Sequence, residues 1–287
     1  MRFNHTDTSI VAKTLLLAAL SNAFVVLGSL SYMQSVVFVL GSIALNGIGY
    51  LNQGRIAKTI TKTEIVLVSG FVVFSNIMTL GLEFLMLKFD VWGFSSRKYN
   101  LLGPTLLGAP LEEFVYWALC PVIVAVYYLV LARSAVKPIS KQSKYVTKLG
   151  TWLEMLKVAK AIPTQAASTP QIDYVKPDSE FRYQRGTKFP TYVLVQIAIV
   201  SAILVMLKYY HGSKRAMFGT TLVFTATAWP HELYSTYCGF WVYNSQRLVG
   251  LELWRIPIEG YLMYIISPIC GCMMIDLAAR KFIGKDV

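Results

Sequence analysis

Apolar residues run almost unbroken through positions 12–30, 33–51, 65–87, 105–132, 190–207, 216–238 and 256–277. Each run approaches the roughly 20 residues that an α-helix needs to cross a bilayer. The pattern predicts an all-α fold, a polytopic membrane helix bundle of about seven transmembrane helices. The first run follows Arg2 and Lys13 and holds small residues from Ala18 to Ala23, as a cleaved signal would. It continues through Phe24, Val25 and Val26 to Leu30, and so reads as an uncleaved helix.

One stretch breaks the pattern. Residues 134–188 are rich in Lys and Arg, contain Pro138, Pro163, Pro170 and Pro177, and have no apolar run long enough to span. They read as a basic extramembrane insertion. Within it, residues 145–161 put Leu149, Trp152, Leu153 and Leu156 on one helical face, with Lys148 and Lys157 elsewhere. That pattern suits either a basic amphipathic helix on the headgroups or a solvated helix packed on its neighbours.

Composition agrees with the pattern: 55% of residues are hydrophobic and 15% charged, against about 25% charged in a soluble domain. Mean hydropathy is +0.51. A net charge of +12 would suggest nucleic acid in a soluble protein, but here the basic residues sit in loops, where they meet anionic lipid and set orientation. The partner they imply is the lipid bilayer, with no nucleic acid. With the insertion kept on one side, eighteen Lys and Arg fall on the side of the N-terminus and nine opposite, so the N-terminus is expected in the cytoplasm. Eleven of the eighteen belong to the insertion region. Cys120, Cys238, Cys270 and Cys272 lie in or beside apolar runs without C-x-x-C spacing, and read as small core residues.

The chain carries an internal repeat. Glu83 and Trp92 stand nine apart, as do Glu232 and Trp241; Pro110 and Pro121 stand eleven apart, as do Pro257 and Pro268. Gly103 precedes Pro110 by seven, and Gly250 precedes Pro257 by seven. Each copy has an acid at the end of one helix, an aromatic loop (Trp92 and Phe94; Trp241 and Tyr243), and a Pro-x-Glu opening the next helix, where proline fits a first turn. The organisation expected is an N-terminal helix over 1–32, a first repeat over 33–133, the insertion over 134–188 and a second repeat over 189–287. Each repeat holds three helices. If the insertion does not cross, the copies are antiparallel, with a site between them near the midplane; if it crosses once, they are parallel.

Five acids lie within or at the ends of apolar runs: Glu83, Glu112, Glu113, Glu232 and Glu259. An ionised acid at a helix centre costs about 2.5–3.5 kcal/mol on insertion scales, so such acids pair, sit near the interface or hold protons. Few intramembrane cations are available to pair them, and an acid that keeps its proton is a proton donor. Capping of helix N-termini at headgroup depth is the simpler role, and it suits Glu113 and Glu252 as well as any other. Glu112 and Glu259, at matched positions, are the leading catalytic candidates. Aromatic residues crowd the same places: Trp92, Trp117, Trp229, Trp241 and Trp254, with Tyr116, Tyr243, Tyr261 and Tyr264. Interfacial belts account for some of them. The others could stabilise a developing cation through their π-faces, which suits protonation of an alkene.

Other chemistries lack their signatures. The aspartates are isolated, so no paired site for magnesium and pyrophosphate is evident. Glu112-Glu113 is followed by Phe-Val-Tyr-Trp without the Arg of a CAAX-type protease, and His5, His211 and His231 have no metal spacing. No metal site and no dinucleotide fold is expected.

The runs Glu83-x8-Trp-Gly-Phe with Gly-x6-Pro-Leu-Glu-Glu-Phe, and Trp-Pro-His-Glu232-x8-Trp-Val-Tyr with Gly-x6-Pro-Ile-Glu, resemble the membrane lycopene cyclase family. The likeness is close over residues 75–132 and 220–277. That family includes paired bacterial subunits, fused archaeal proteins and the cyclase domain of the fungal phytoene synthase/lycopene cyclase. The resemblance implies redox-neutral cyclisation of a lycopene ψ-end to a β-ionone ring, an isomerase-type reaction of carotenoid biosynthesis on a hydrophobic polyprenyl substrate, with no cofactor. It maps the family's Pro-x-Glu-Glu acids onto Glu112, Glu113 and Glu259, and the upstream acid onto Glu83 and Glu232. This chain departs from the pattern where Gly260 replaces a second Glu, where Glu replaces Asp at 83 and 232, and where Pro230-His231 separates Trp229 from Glu232. A cyclase acting on another polyprenyl or meroterpenoid substrate, and a non-catalytic membrane scaffold or transporter, are the other readings open to the sequence.

Overall fold

A computed structural model describes residues 5–52, 60–94, 105–106, 109–134, 156–161, 181–183 and 190–283. Seven long helices are found among them: α1 (His5–Gly28), α2 (Tyr32–Leu51), α3 (Lys62–Lys88), α4 (Leu111–Ser134), α5 (Thr191–Leu207), α6 (Lys214–Cys238) and α7 (Ile258–Ile283). Local sequence sets their ends. Ser31 with Gln34, and Thr61 with Glu64, form reciprocal capping boxes at the starts of α2 and α3. Ser213 caps α6, which Gly239 ends in the left-handed conformation at φ 71°.

The chain is an integral, multi-pass membrane protein. Five helices, α1, α2, α3, α4 and α7, are long and apolar enough to cross a bilayer on composition alone. At 17 residues α5 is apolar but short, about 26 Å at 1.5 Å per residue. The polar character of α6 comes from Thr220, Thr225, Thr227, His231 and Glu232, all of which are buried. It packs against α1, α2, α4 and α7, so these groups face protein instead of lipid.

Side-chain contacts fix which helix ends lie together. At one end Arg215, starting α6, pairs with Asp7 of α1 at 2.6 Å, and Ser134, ending α4, also bonds Asp7. Arg133 pairs there with Glu64, at the start of α3. Arg280 near the end of α7 reaches the Tyr209 carbonyl at 2.6 Å, just past α5. At the opposite end Tyr32, starting α2, bonds Glu113 at the start of α4, and Tyr234 near the end of α6 bonds the Leu30 carbonyl after α1. Gln196 near the start of α5 bonds the Glu259 carbonyl at the start of α7.

It follows that α2, α3 and α4 run in the same directions as α5, α6 and α7. The two copies are parallel, related by a pseudo-two-fold axis along the bundle, and the antiparallel alternative fails. Short strands after α3 and α6 show the same relation: β1 (Trp92–Phe94) pairs with β5 (Trp241–Tyr243), with Trp92 opposite Tyr243, Gly93 opposite Val242 and Phe94 opposite Trp241. Equivalent residues exchange places across the pair, as a two-fold axis through its centre requires.

The correction has a physical source. The chain leaves α4 at one end and enters α5 at the other, and no apolar run of spanning length lies in the sequence between them. Within it, residues 156–161 are helical, Ala159 is fully buried and Leu156 packs on the main core. The rest of the amphipathic stretch, 145–155, and most of the basic insertion lie outside the described residues.

Matching hairpins lead into the last helix of each copy: β2 (Thr105–Leu106) with β3 (Ala109–Pro110), and β6 (Leu251–Leu253) with β7 (Ile256–Pro257). The second is widened by β4 (Phe181–Tyr183) on β6. Pro110 and Pro257 thus stand immediately before α4 and α7.

Candidate active site

The ends of α3 and α6 and the starts of α2, α4, α5 and α7 converge around β1 and β5. Asn244 ties the two loops together, donating its amide to Val91 O at 2.8 Å and its side chain to Asp90 O at 2.9 Å. Beneath this knot lies a cavity of about 30 Å³, room for a water molecule or two.

Three acids line it: Glu83 from α3, Glu113 from α4 and Glu232 from α6. All are buried, at 3%, 2% and 0% exposure. The other lining residues are aromatic or apolar: Trp92, Phe94, Trp117, Tyr192, Tyr243, Met263 and Tyr264. No lysine, arginine or histidine is among the described lining residues.

Each acid is held by an aromatic donor. Trp92 Nε1 donates to Glu83 Oε1 at 2.7 Å, so the nine-residue spacing seen in the sequence closes into a hydrogen bond. Tyr32 donates its hydroxyl to Glu113 Oε1. Glu232 accepts from Tyr243 at 2.6 Å on Oε1 and from Tyr264 at 2.7 Å on Oε2, and Tyr116 donates in turn to the Tyr264 hydroxyl at 3.1 Å. Burial, reinforced by Glu232, pushes the Tyr243 hydroxyl well above its ordinary range, so it keeps its proton and donates. Tyr116 also stacks on His231, with ring centroids 5.6 Å apart, and meets Trp117 edge-on at 5.1 Å.

The two copies contribute unequally. Gly260 occupies the position equivalent to Glu113, and a Cβ there would stand 3.0 Å from Ile256 Cγ2 and 3.5 Å from the Tyr243 hydroxyl. Tyr243, where the first copy has Phe94, therefore sits over the place a second acid would use. The first copy supplies Glu83 and Glu113, the second Glu232 and a phenol, and together they form one asymmetric site.

The leading candidates from the repeat, Glu112 and Glu259, do not line this cavity. Glu112 is fully buried, but successive helical residues point about 100° apart, and it is Glu113 that faces inward. Glu259 is turned to its own loop: its Oε1 accepts from the Val249 amide at 2.6 Å. Trp229 and Tyr261 pair edge-on at 5.3 Å, and Tyr261 bonds the Leu253 carbonyl at 2.9 Å, also outside the cavity wall. The Trp241 side chain is outside the described residues.

Tyr32, Tyr192, Met263 and His231 were not among the candidates. A signal for the first two exists: Ser31-Tyr32 and Thr191-Tyr192 stand at matched places, the starts of α2 and α5. In the sequence His231 shows no metal-ligand spacing. It is buried, with Nε2 2.9 Å from Ser35 Oγ, whose own hydrogen goes to the Tyr32 carbonyl at 2.7 Å.

A family model described as lycopene cyclase matches residues 30–131 and 189–277, the two copies without α1 or the segment between them. No curated protein matches, and no solved structure does.

Proposed function

The chain belongs to the lycopene cyclase family, and from that premise we propose that it closes the acyclic ψ-end of a lycopene-like polyene into a β-ionone ring by proton transfer alone. In the reaction a proton adds to C2, leaving a tertiary cation at C1. The C5=C6 alkene attacks, the C1–C6 bond forms and the cation moves to C5. Loss of the C6 proton then restores a double bond, with no net change in protons or electrons.

The observation that carries this reading is the meeting of three acids in one aromatic cavity between the copies. Three buried carboxyls facing one small cavity repel one another when ionised, which favours a state in which at least one holds a proton to give. Glu113 suits the donor: one oxygen accepts from Tyr32 and the other is left to carry the proton. Glu232 suits the base, because both its oxygens already accept from tyrosyl hydroxyls. Glu83, fixed by Trp92, completes the set and can take or return a proton as the charge shifts. The π-faces around them stabilise the cation without trapping it as a nucleophile would. Glu112 and Glu259 act in this reading by holding the starts of α4 and α7.

Basic residues support an orientation. Among the described Lys and Arg outside residues 156–161, eight (13, 62, 133, 208, 214, 215, 280, 281) lie at the end that holds the N-terminus, and four (88, 182, 247, 255) at the end that holds the site. The positive-inside rule then sets the N-terminus in the cytoplasm and the acids in the opposite leaflet.

Expression in a lycopene-accumulating host tests the reading. Cyclic carotenoid should replace red lycopene in the host membranes. If neither lycopene nor any other ψ-ended polyene yields a ring, a scaffold or transporter role becomes the better account.

A further inference from the structure

The wall around the three acids is not equally thick on all sides. Helix α4 buries fifteen residues, whereas α3 buries only Glu64, Glu83 and Met86, and α5 only Tyr192 and Gln196. These two helices are held near the cavity by a small apolar cluster distinct from the main core, in which Met86, Tyr192 and Met263 are buried. Leu82 of α3, Val195 and Ile199 of α5 and Ile266 of α7 pack against it. Tyr192 and Met263 belong both to this cluster and to the cavity lining. Leu82, Ile199 and Ile266 each lie further along their helices toward the middle of the bundle. Beyond them the two helices turn apolar side chains outward, with Ile77 63% exposed on α3 and Leu204 63% exposed on α5.

We propose that the polyene reaches the acids sideways from the bilayer, between α3 and α5, and that its unreacting length stays in that groove against Leu82, Ile199 and Ile266. This deepens the cyclase reading and rests on it. Three observations carry it. A cavity of about 30 Å³ cannot hold an isoprenoid end as it stands, so some part of the wall must give. The two methionines are on this side, and methionine is unbranched and repacks readily. Finally, a lycopene-length polyene is about as long as the hydrocarbon core is thick, ~30 Å. Only its end can enter the site, and the rest needs an apolar track continuous with it.

The test uses the full chain in phosphatidylcholine vesicles with two substrates: lycopene and a polyene of half its length with the same ψ-end. Leu82→Trp and Ile199→Trp narrow the groove from its two sides without touching the acids. Each should lower kcat/KM for lycopene at least tenfold through KM, and lower kcat/KM for the short polyene, which passes the same way but leaves no length in the groove, several-fold less. Leu16→Trp, on the outward face of α1 at 61% exposure, should alter neither. Turnover of the short polyene by each variant shows that it is folded and that the reading of the acids stands. Equal losses on both substrates, or no loss on either, would overturn the groove alone. A wild-type chain that cyclises neither polyene would remove the cyclase reading and the groove with it.

Discussion

Replacing Glu113 by Gln separates the acid that faces the cavity from the one beside it. The amide keeps the shape of the side chain, and its oxygen can still accept the Tyr32 hydroxyl, so the local packing should survive. What is lost is the acidic proton. General acid catalysis contributes about 10²–10⁴ in rate, or about 3–5 kcal/mol of barrier at 1.36 kcal/mol per tenfold. Glu113→Gln should therefore lower kcat by that factor and leave KM within about twofold, since the interaction removed acts mainly in the transition state. Glu112→Gln, which changes a buried group outside the cavity, should cost no more than about tenfold in kcat, mostly through the position of α4. Initial rates of ring formation from lycopene in vesicles, with product separated by chromatography, give both numbers. Near-full turnover by Glu113→Gln together with loss of turnover by Glu112→Gln would refute the assignment of the inward-facing acid.

Tyr243→Phe removes one of two donors to Glu232; a hydrogen bond to a charged group is worth about 1.5–3 kcal/mol, so kcat should fall about ten- to hundredfold in the same assay. Gly212→Ala should destabilise the other end of the bundle, because a Cβ there would stand 2.3 Å from the Tyr128 hydroxyl and 2.6 Å from Asp276 Oδ1. Overpacking of this kind costs about 1–3 kcal/mol, and a lowered midpoint of thermal unfolding in detergent is the expected result. In topology, single cysteines at Asn52 and Lys281 should react with an impermeant thiol reagent from one side of the membrane, and one at Gln246 from the other. Opposite labelling of Asn52 and Lys281 would restore the antiparallel arrangement.

Much of this site could be seen in the sequence, because the repeat constrains spacing strongly. The separation of Glu83 from Trp92 was visible, and it is the separation of an acid from its indole donor. The starts of α4 and α7 were signalled by Pro110 and Pro257 at matched positions. What the repeat could not supply was rotation and direction. In the sequence Glu112 has a counterpart in Glu259, whereas Glu113 has none. The cavity uses the unmatched member, Glu113, and the second copy fills the equivalent place with Tyr243 over Gly260. Symmetry of sequence thus pointed away from the asymmetric lining of the cavity. The direction of the second copy depends on whether 135–190 crosses, and the hydropathy of that stretch gives no sign of a crossing. Tyr32 and Tyr192 went unnoticed because they lie far from the acids along the chain, although their matched places at the starts of α2 and α5 carried the signal.

The central claim is that ring closure starts with a proton from an acid in this cavity and ends with a proton lost to another. Purified protein in vesicles made up in D2O, given lycopene and allowed a single turnover after equilibration, tests it directly. Mass spectrometry and NMR of the β-ring should find one deuterium per ring, at C2, and none at any other ring position. A ring formed without deuterium at C2, by enzyme whose carboxyl protons have exchanged, would contradict proton initiation at Glu83, Glu113 or Glu232.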